Sequence, residues 1–344
     1  MAKTKTYLLT GGAGFIGCNY ANVLLGRGER VVILDNLSRK GAERNLAWLR
    51  QTHGAESFEL VVGDVRTAGS LLDPVAGADV IVHLAGQVAV TSSVTDPRTD
   101  FDINALGTFN VLEAARQAGH KPFIIYSSTN KVYGEMLEHR LLSGKTRYRY
   151  AKLPHGLPET QQLDFHSPYG CSKGAAEQYV RDYARIYGIP SVVFRQSCIY
   201  GPRQFGVEDQ GWLAWFVIAA VLGKPISIYG DGKQVRDMLH VHDLTAAYDA
   251  AIARQSKIAG EAFNIGGGPD FTLSIWKECG PLLERLLGRK IPVSYGPTRP
   301  GDQKVYISDI RKAKKALAWK PTIGVEQGTA ELVAWVQEHR ELFD

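Results

Sequence analysis

Cysteine is scarce in this chain, with four residues in 344. Cys18, Cys171, Cys198 and Cys279 fit neither a CxxC motif nor a disulfide framework. Charge of one sign is also limited, because the formal net charge is only +5, and no block of like charge predicts a nucleic-acid-binding arm. No apolar run is long enough for a membrane span, and the first residues have no signal-peptide pattern. We therefore expect a cytoplasmic protein with reduced thiols and without nucleic-acid or membrane partners.

The first half of the chain alternates short apolar segments with amphipathic ones, and 44% of all residues are hydrophobic. Strands that are apolar on both faces and separated by helices are typical of a parallel sheet covered by helices on both sides. Right-handed crossovers then give a doubly wound Rossmann fold of the α/β class. The segments predicted as its strands are 7–9, 31–34, 58–62, 80–82, 123–126 and 191–194.

A glycine-rich turn joins the first predicted strand to the first helix. Gly12-x-Gly14-x-x-Gly17 matches the dinucleotide fingerprint, and Gly11 repeats the spacing in a second phase. Residues without side chains permit a tight turn, and they let a pyrophosphate approach backbone N–H groups at a helix N-terminus, where the helix dipole favours negative charge. The sequence therefore predicts that this turn holds a dinucleotide cofactor.

The acid that ends the second predicted strand indicates which dinucleotide is bound. Asp35 stands where such folds place the carboxylate that binds the adenosine ribose hydroxyls. A carboxylate there repels a 2′-phosphate, which favours NAD over NADP. Arg39 and Lys40 leave NADP open, because either could receive that phosphate. The other predicted cofactor-binding residues lie at or near strand ends and helix starts: Phe15, Ile16, Asn36, Ser38, Asp64, Val65, Leu84, Ala85, Gln87, Asn104 and Ser127.

Glycine and proline become frequent in the later part of the chain, above all between residues 266 and 302. Because these residues interrupt regular elements, we expect a smaller C-terminal α/β lobe that binds substrate and is built from separated segments. The predicted NAD-binding domain covers 1–198 plus 232–268, and the predicted substrate-binding lobe covers 199–231 plus 269–344.

A hydroxyl-rich strand end and a later Tyr-x-x-x-Lys pair suggest a catalytic group. Tyr169 and Lys173 are four residues apart, so they share one face of a helix. An ammonium beside a phenol favours the phenolate and is expected to lower the pKa of Tyr169, which would make it a usable base. Either Thr129 or Ser128 could hold the same substrate oxygen by a hydrogen bond, and Lys173 could also bind the nicotinamide ribose.

The strings TGGAGFIG, HLAGQ, SSTNKVYG, YGCSK and VRDMLHV resemble the extended short-chain dehydrogenases/reductases, the NAD-dependent epimerase/dehydratase family. The resemblance implies hydride transfer between tightly bound NAD, regenerated in each turnover, and a hydroxyl of a nucleotide-linked sugar. Tyr169 would be the base, Lys173 its partner and Thr129 the hydroxyl support. Arg236 and Arg299 match positions that bind the diphosphate in this family. The resemblance also implies a homodimer or homotetramer formed through helices at 99–117 and 168–187.

One departure from the family pattern narrows the reaction. Dehydratases carry Asp and Glu where this chain has Asn130 and Lys131, so the acid and base for removing water are missing. Epimerisation needs no such pair. Long strings, among them DNLSRKGA and GKQVRD, resemble a subgroup that inverts C2 of a CDP-linked hexose through a 2-keto intermediate.

The residues alone leave several alternatives open. The same catalytic set would serve C4 of a UDP-sugar, a net sugar-nucleotide reductase, or, without catalysis, an NAD-binding sensor. No metal site is predicted. The predicted substrate-binding residues are Gln87, Thr129, Asn130, His166, Gln196, Arg236 and Arg299.

Overall fold

The computed structural model describes residues 4–299 and 302–343. Its strands are, in chain order, β1 Thr6–Thr10, β2 Arg30–Asp35, β3 Glu59–Val62, β4 Val80–His83, β5 Phe123–Thr129, β6 Leu141–Ser143, β7 Tyr148–Tyr150, β8 Ser191–Gln196, β9 Cys198–Tyr200, β10 Ser227–Tyr229, β11 Val235–His240, β12 Ala262–Ile265, β13 Thr272–Ser274, β14 Ser294–Gly296 and β15 Val305–Tyr306.

Helices alternate with most of these strands. They are α1 Phe15–Gly26, α2 Ala42–His53, α3 Leu72–Ala76, α4 Val90–Thr95, α5 Pro97–Phe101, α6 Gly107–Gln117, α7 Ser167–Ile186, α8 Trp212–Leu222, α9 Val241–Ile252, α10 Gln255–Ile258, α11 Cys279–Leu287, α12 Arg311–Leu317 and α13 Val325–Glu338. Among the described helices, none is both long enough and apolar enough to cross a bilayer.

The chain divides into two compact units, each discontinuous in sequence. Unit 1 comprises Met1–Thr129, Ser167–Arg195 and Thr245–Phe263, and unit 2 comprises Asn130–His166, Gln196–Leu244 and Asn264–Asp344. The predicted domain division differs, because it assigned 130–166 and 232–244 to the cofactor domain. The latter segment lies in unit 2 because β11 pairs with β9, β13 and β15. The assignment of cofactor and substrate to separate domains stays a prediction.

The main sheet has seven strands in the order β12-β8-β5-β4-β1-β2-β3. The pairs from β5 to β3 are all parallel. The strand order reverses between β1 and β4, so the carboxyl ends of these two strands border the crevice where doubly wound sheets bind ligands. The fold class and all six predicted strands are confirmed, since each predicted segment overlaps a strand of this sheet.

One face of this sheet is closed by the helices that later carry the site. Leu8, Ile81 and Ile124 on three strands belong to one hydrophobic cluster with Leu112 of α6 and Val180 of α7. These side chains are almost fully buried, and each removes apolar area from water. The packing therefore holds α6 and α7 against the strands whose ends carry the predicted catalytic residues.

The segment predicted as one helix over 99–117 is interrupted. The helix α5 begins after Asp96, whose side chain accepts a hydrogen bond from the Thr99 N–H at 3.0 Å. A π-helical turn, Asp102–Leu106, then separates α5 from α6. Asn104 lies in this turn, where its side chain bonds residues outside the helix, and π turns are frequent at functional sites.

Unit 2 has its own core around the apolar helix α8. Val217 and Ala219 of α8 belong to a cluster with Leu283 of α11 and Leu332 and Val336 of α13. The parallel pair β10–β14 and the antiparallel hairpin β6–β7 complete the small sheets of this unit. Unit 2 therefore contains both helices and short strands, while the predicted substrate-binding lobe stays a prediction.

Candidate active site

The glycine turn after β1 is closely packed on its inner side. Gly11 has φ +70°, and a Cβ there would lie 2.7 Å from the Ala85 backbone nitrogen. A Cβ on Gly17 would lie 2.5 Å from the Cα of Gly12. Gly14 is the N-cap of α1, so its neighbours Phe15 and Ile16 open a twelve-residue helix. The turn therefore leaves backbone N–H groups at a helix N-terminus open to a pyrophosphate, as a dinucleotide requires.

Asp35 ends β2 beside this turn. Its carboxylate accepts hydrogen bonds from the backbone N–H groups of Ala13, at 3.0 Å, and Leu37, at 2.8 Å. Burial raises the pKa of Asp35, and the two N–H groups and the charge of Arg39 oppose this rise. Burial also lowers the pKa of Arg39, and the charge of Asp35 counters it. The acid thus lies where a ribose could donate to it, with a cation nearby.

The other predicted adenine-side residues form a local network. The Asn36 amide donates to Asp64 Oδ2 at 2.8 Å, and Ser38 donates to Asn36 through its backbone N–H and its hydroxyl. Arg66 binds both Asp64 oxygens, at 2.9 and 2.7 Å, which holds the pKa of Asp64 far below its usual range. Val65 is buried. Asp64 is therefore ionised, each of its oxygens already accepts two hydrogen bonds, and its contact with adenine stays a prediction.

The loop after β4 is tied to the π-helical turn. The Gln87 N–H donates to Asn104 Oδ1 and the Asn104 amide donates to the Gln87 carbonyl, both at 3.0 Å. Asn104 is therefore a brace for the backbone of residues 84–87. The Gln87 side chain donates to the Ala89 carbonyl at 2.7 Å and accepts from the Ala89 N–H. It closes a local turn, so its predicted contacts with cofactor or sugar stay predictions.

Thr129, Tyr169 and Lys173 all lie in unit 1 and all are buried. The hydroxyls of Thr129 and Tyr169 are hydrogen-bonded, which joins the end of β5 to the start of α7. The Lys173 ammonium donates to the Ser127 carbonyl at 2.5 Å and lies 4.5 Å from the centre of the Tyr126 ring. The structure thus brings the three predicted catalytic residues to one strand end and one helix.

Burial dominates the titration of both catalytic groups. It raises the pKa of Tyr169 to about 12, although the hydrogen bond from Thr129 acts in the opposite direction. It lowers the pKa of Lys173 to about 7, against the charges of Asp100 and Glu177. The pKa of Tyr169 therefore lies above its usual value and not below it, as a charged Lys173 alone would place it. The reason is that removing the phenol and the ammonium from water disfavours the charged form of both.

Sequence reasoning missed the buried network behind these residues. The Ser128 hydroxyl donates to Glu177 Oε2 at 2.9 Å, and Arg195 Nε donates to both Glu177 oxygens at 3.0 and 3.1 Å. Ser128 is thereby engaged, and of the two candidate hydroxyls Thr129 is the one bonded to Tyr169. A charged residue inside the apolar strand 191–196, and a Glu one helical turn after Lys173, were the available signals.

In unit 2, Asn130 and Lys131 follow directly on β5. The Asn130 amide donates to Gln303 Oε1 at 3.2 Å, and the Gln303 amide donates to the Gly134 carbonyl at 2.5 Å. Burial lowers the pKa of Lys131 to about 8, and the charge of Arg236 acts in the same direction. Unit 2 therefore brings the half-buried Lys131 and the buried Arg236 close enough for their charges to interact.

The other predicted substrate residues of unit 2 have partners of their own. Arg236 donates to Asp302 Oδ1 at 2.6 Å and is almost fully buried. Arg299 lies 2.9 Å from Asp209 Oδ1 and 3.8 Å from the centre of the Tyr229 ring. The two ring nitrogens of His166 lie 3.5 Å from Glu135 and 3.1 Å from Asp164, and Gln196 is buried at the end of β8. Their contact with a substrate stays a prediction.

Unit 2 also brings together His240, His242 and Glu331, whose possible ligand atoms lie within 4.8 Å of one another. The His240 Nδ1 accepts the His242 backbone N–H at 3.4 Å, which leaves the ring proton on Nε2. That nitrogen lies 3.5 Å from Glu331 Oε2. Burial lowers the pKa of His240 to about 4, so the ring is neutral. Within the described residues His240 Nε2 has no hydrogen-bond partner, and the expectation of no metal site stays a prediction.

Comparison with known proteins agrees with this arrangement. The family model of GDP-mannose 4,6 dehydratase matches residues 8–332. CDP-paratose 2-epimerase of Salmonella typhi is 46% identical over 95% of this chain and 98% of that protein. A putative UDP-glucose 4-epimerase of Methanocaldococcus jannaschii is 32% identical over 96% of this chain and 98% of that protein.

Solved structures show the same fold. DesIV, a dTDP-glucose 4,6-dehydratase of Streptomyces venezuelae with NAD and TYD bound, has a TM-score of 0.84 and 29% identity, covering 98% of this chain and 99% of that chain. Thermus thermophilus UDP-glucose 4-epimerase in complex with NAD has a TM-score of 0.80 and 28% identity, covering 97% and 99%. The chain therefore belongs to the GDP-mannose 4,6-dehydratase family of sugar-nucleotide epimerases and dehydratases.

Proposed function

We propose that this protein is an NAD-dependent epimerase that inverts C2 of a CDP-linked hexose through a transient 2-keto intermediate. The observation that carries the proposal is the hydrogen-bonded Thr129–Tyr169 pair with Lys173 one helical turn away, in a chain that is 46% identical to a CDP-paratose 2-epimerase. The relative supports the carbon and the nucleotide, and the buried residues support the type of reaction.

The cofactor of this proposal is NAD. The open N-terminus of α1 fits the pyrophosphate, and the carboxylate of Asp35 fits a ribose with a free 2′-hydroxyl. When bound, NAD supplies the acceptor for the hydride taken from the sugar. Because epimerisation is redox-neutral, we expect the cofactor to stay bound through the cycle and to co-purify with the protein.

The proton of the reacting hydroxyl is assigned to Tyr169. Its phenol oxygen takes this proton during oxidation and returns it during reduction, while the Thr129 hydroxyl holds the oxygen in place. Since burial raises the pKa of Tyr169 to about 12, the phenolate depends on nearby positive charge. Lys173 is the ammonium placed to supply it, one turn along the same helix.

Dehydration is not proposed, despite the name of the family model. Asn130 stands where dehydratases carry an acid, and its amide donates to Gln303. An amide cannot exchange a proton in that role, and Lys131 is a cation where dehydratases carry a carboxylate.

Arg236 and Arg299 are proposed to bind the diphosphate of the substrate. Guanidinium groups suit this task because they bind phosphate oxygens in a bidentate manner. Gln196, His166 and Asn130 are proposed to bind sugar hydroxyls. Lys131 and Arg236 carry two positive charges, and Asp302 neutralises one of them, so positive charge remains for the diphosphate.

A second candidate is C4 epimerisation of a UDP-sugar. It is favoured by the similarity to UDP-glucose 4-epimerases of Methanocaldococcus jannaschii and Mycolicibacterium smegmatis, at 32% and 31% identity. The catalytic residues would act in the same way, and only the position of the sugar would differ.

The test is to incubate the protein with CDP-, UDP- and GDP-linked hexoses in heavy water, without added NAD, and to follow the sugars by NMR. Inversion at C2 of a CDP-sugar without solvent deuterium at C2 is the expected result, because the hydride stays on the enzyme. Inversion at C4 of a UDP-sugar would establish the second candidate instead. Deuterium at the inverted carbon would reject transient oxidation.

The same assay tests the base. Tyr169→Phe is expected to lower the turnover number by about 10²–10⁴-fold, since it removes the proton acceptor and one hydroxyl only. Tyr295→Phe is the matched control, because Tyr295 lies on β14 with half of its surface exposed. Full activity of Tyr169→Phe would show that the catalytic assignment is wrong.

We also propose that the protein is a homodimer formed through α5, α6 and α7, or a homotetramer that contains this dimer. Large hydrophobic side chains on these helices and the turn between them are exposed: Phe101, Leu106, Phe109, Tyr179, Ile186 and Tyr187. Sedimentation equilibrium would give the mass. The free state of all four cysteines supports a reducing compartment, so we propose the cytoplasm as its location.

A further inference from the structure

The buried charges around the catalytic lysine can be paired. Lys173 is almost fully buried, and the carboxylates whose charges act on it are Asp100 of α5 and Glu177 of α7. An ammonium removed from water needs a compensating negative charge, because its solvation energy is lost. The question is which of the two carboxylates is available to compensate it.

Glu177 already has a cation of its own. Arg195 binds both of its oxygens, and both side chains are nearly inaccessible, at 0% for Glu177 and 3% for Arg195. The Ser128 hydroxyl donates to the same carboxylate at 2.9 Å. The pair of Glu177 and Arg195 is therefore neutral as a unit.

Asp100 has only neutral hydrogen-bond donors. The Ser172 hydroxyl donates to its Oδ2 at 2.5 Å and the Asn104 amide donates to its Oδ1 at 3.1 Å. Asp100 is fully buried, and within the described part of the chain it forms no salt bridge. Within the described residues, a buried carboxylate on α5 and a buried ammonium on α7 remain without an ion-pair partner, and Ser172, the neighbour of Lys173, joins the two helices through its bond to Asp100.

We propose that Asp100 is the counter-charge of Lys173 and keeps its side chain in the ammonium form. Asp100 is a positioning residue: its charge acts on Lys173 from a distance, and its hydrogen bonds to Ser172 and Asn104 hold the surrounding side chains in place. This role goes beyond the proposed epimerisation and rests on it only for the statement that Lys173 is catalytic.

The π-helical turn provides the geometry. It places Asn104 so that its amide binds Asp100 while its Oδ1 accepts from the Gln87 N–H. A Cβ on Gly86 would lie 3.0 Å from Asn104 Oδ1 and 3.8 Å from Lys173 Nζ, so the amide that binds Asp100 and the Lys173 ammonium both lie next to Gly86. The interrupted helix thus serves to bring a charge on α5 to the lysine of α7.

Other titratable groups face Lys173 but do not supply this charge. His83 is neutral because burial lowers its pKa to about 3. Tyr126 is buried beneath the ammonium, and burial keeps its pKa well above the usual value, as it does for Tyr169. The charge of Asp100 raises the pKa of Lys173. Burial raises the pKa of Asp100, and the Ser172 hydroxyl, the charge of Lys173 and the Asn104 amide oppose this rise.

The test is Asp100→Asn, which keeps the shape of the side chain and removes its charge. The protonation of Lys173 is followed by NMR of lysine labelled with ¹³C at Cε and ¹⁵N at Nζ, with the Lys173 signal identified by its loss in Lys173→Met. We expect the pKa of Lys173 to fall by about one to two units, the usual effect of removing an opposite charge at this range. If Asp100→Asn does not fold, Asp100→Ser removes the same charge from a smaller side chain.

Ser172→Ala is the matched control, since it removes a hydrogen bond to Asp100 but leaves the charge. It should shift the pKa of Lys173 much less than Asp100→Asn. A Lys173 pKa that is unchanged in the Asp100 variants, or equally shifted in Ser172→Ala, would overturn the proposal. In the pH profile of turnover, the alkaline limb should move to lower pH in Asp100→Asn by the same shift. Absence of epimerisation by the wild type would reject the proposed function and leave the NMR result standing.

Discussion

Arg195→Met tests how far the site depends on its buried ion pair. Arg195 lies on β8 and Glu177 on α7, and three of their contacts are hydrogen bonds between fully buried groups. Methionine keeps the length and the apolar stem of the arginine side chain. The Glu177 carboxylate then loses the guanidinium but keeps its hydrogen bond from the Ser128 hydroxyl of β5. An unpaired charge is then held away from water.

The magnitude follows from that burial. Removing one partner of a buried pair costs about 3–5 kcal/mol, because the other charge loses its compensation without regaining water. Replacing both partners by apolar residues is far less costly. Glu177→Met with Arg195→Met should therefore recover a large part of the loss caused by Arg195→Met alone.

The assay is urea unfolding followed by far-ultraviolet circular dichroism, with the free energy of unfolding extrapolated to water. Arg30→Met is the control, because Arg30 also lies on a strand of unit 1, but its pair with Glu59 at 3.4 Å is exposed on both sides. The reasoning from charge burial is refuted if Arg195→Met lowers the free energy of unfolding no more than Arg30→Met does. It is also refuted if adding Glu177→Met to Arg195→Met lowers that free energy further by a similar amount.

Two further predictions concern the cofactor turn and the response to acid. Gly17→Ala should abolish co-purification of NAD, measured by absorbance of the released cofactor, because a Cβ there would lie 2.5 Å from Gly12 Cα; retention of NAD would contradict the packing of the turn. His83 is held between Thr10 and Thr108 at 2.6 and 3.0 Å, and its pKa is lowered from 6.5 to about 3. Since the unfolded chain binds its proton first, stability should fall as pH drops from 6.5 towards 3, and His83→Gln should flatten that dependence; equal slopes in both proteins would exclude His83 as the cause.

The fold was predictable because its signals are local. Strands such as Ile33–Leu34 and Ile81–Val82 are apolar on both faces, and this pattern alone indicates a covered parallel sheet. The ends of those strands then predict where polar residues meet. Thr129, Tyr169 and Lys173 were found in this way, from a strand end and a helical spacing of four.

The features that the sequence did not predict depend on contacts between residues that are far apart in the chain. The continuous amphipathic pattern of 99–117 contains no sign of the π-helical turn, since that turn is supported by bonds from Asn104 to Gln87 and Ser172. Likewise, Gln87 looked free to contact a ligand, whereas its amide closes a turn with Ala89. The predicted cofactor domain included residues 130–166, whereas Tyr133 and Leu157 of this segment pack with Tyr306 in unit 2.

The sequence did not predict that burial would hold the pKa of Tyr169 above its usual value, and this burial explains the design of the site. A Tyr–Lys pair on a helix suggests an activated phenol only if the lysine is charged. Burial acts on both groups, because it disfavours the ammonium of Lys173 as well as the phenolate of Tyr169. A buried base of this kind can therefore work only with a fixed negative charge that is not already paired. Glu177 is paired with Arg195, so that requirement falls on Asp100, a residue outside the Tyr-x-x-x-Lys motif and on the far side of an interrupted helix.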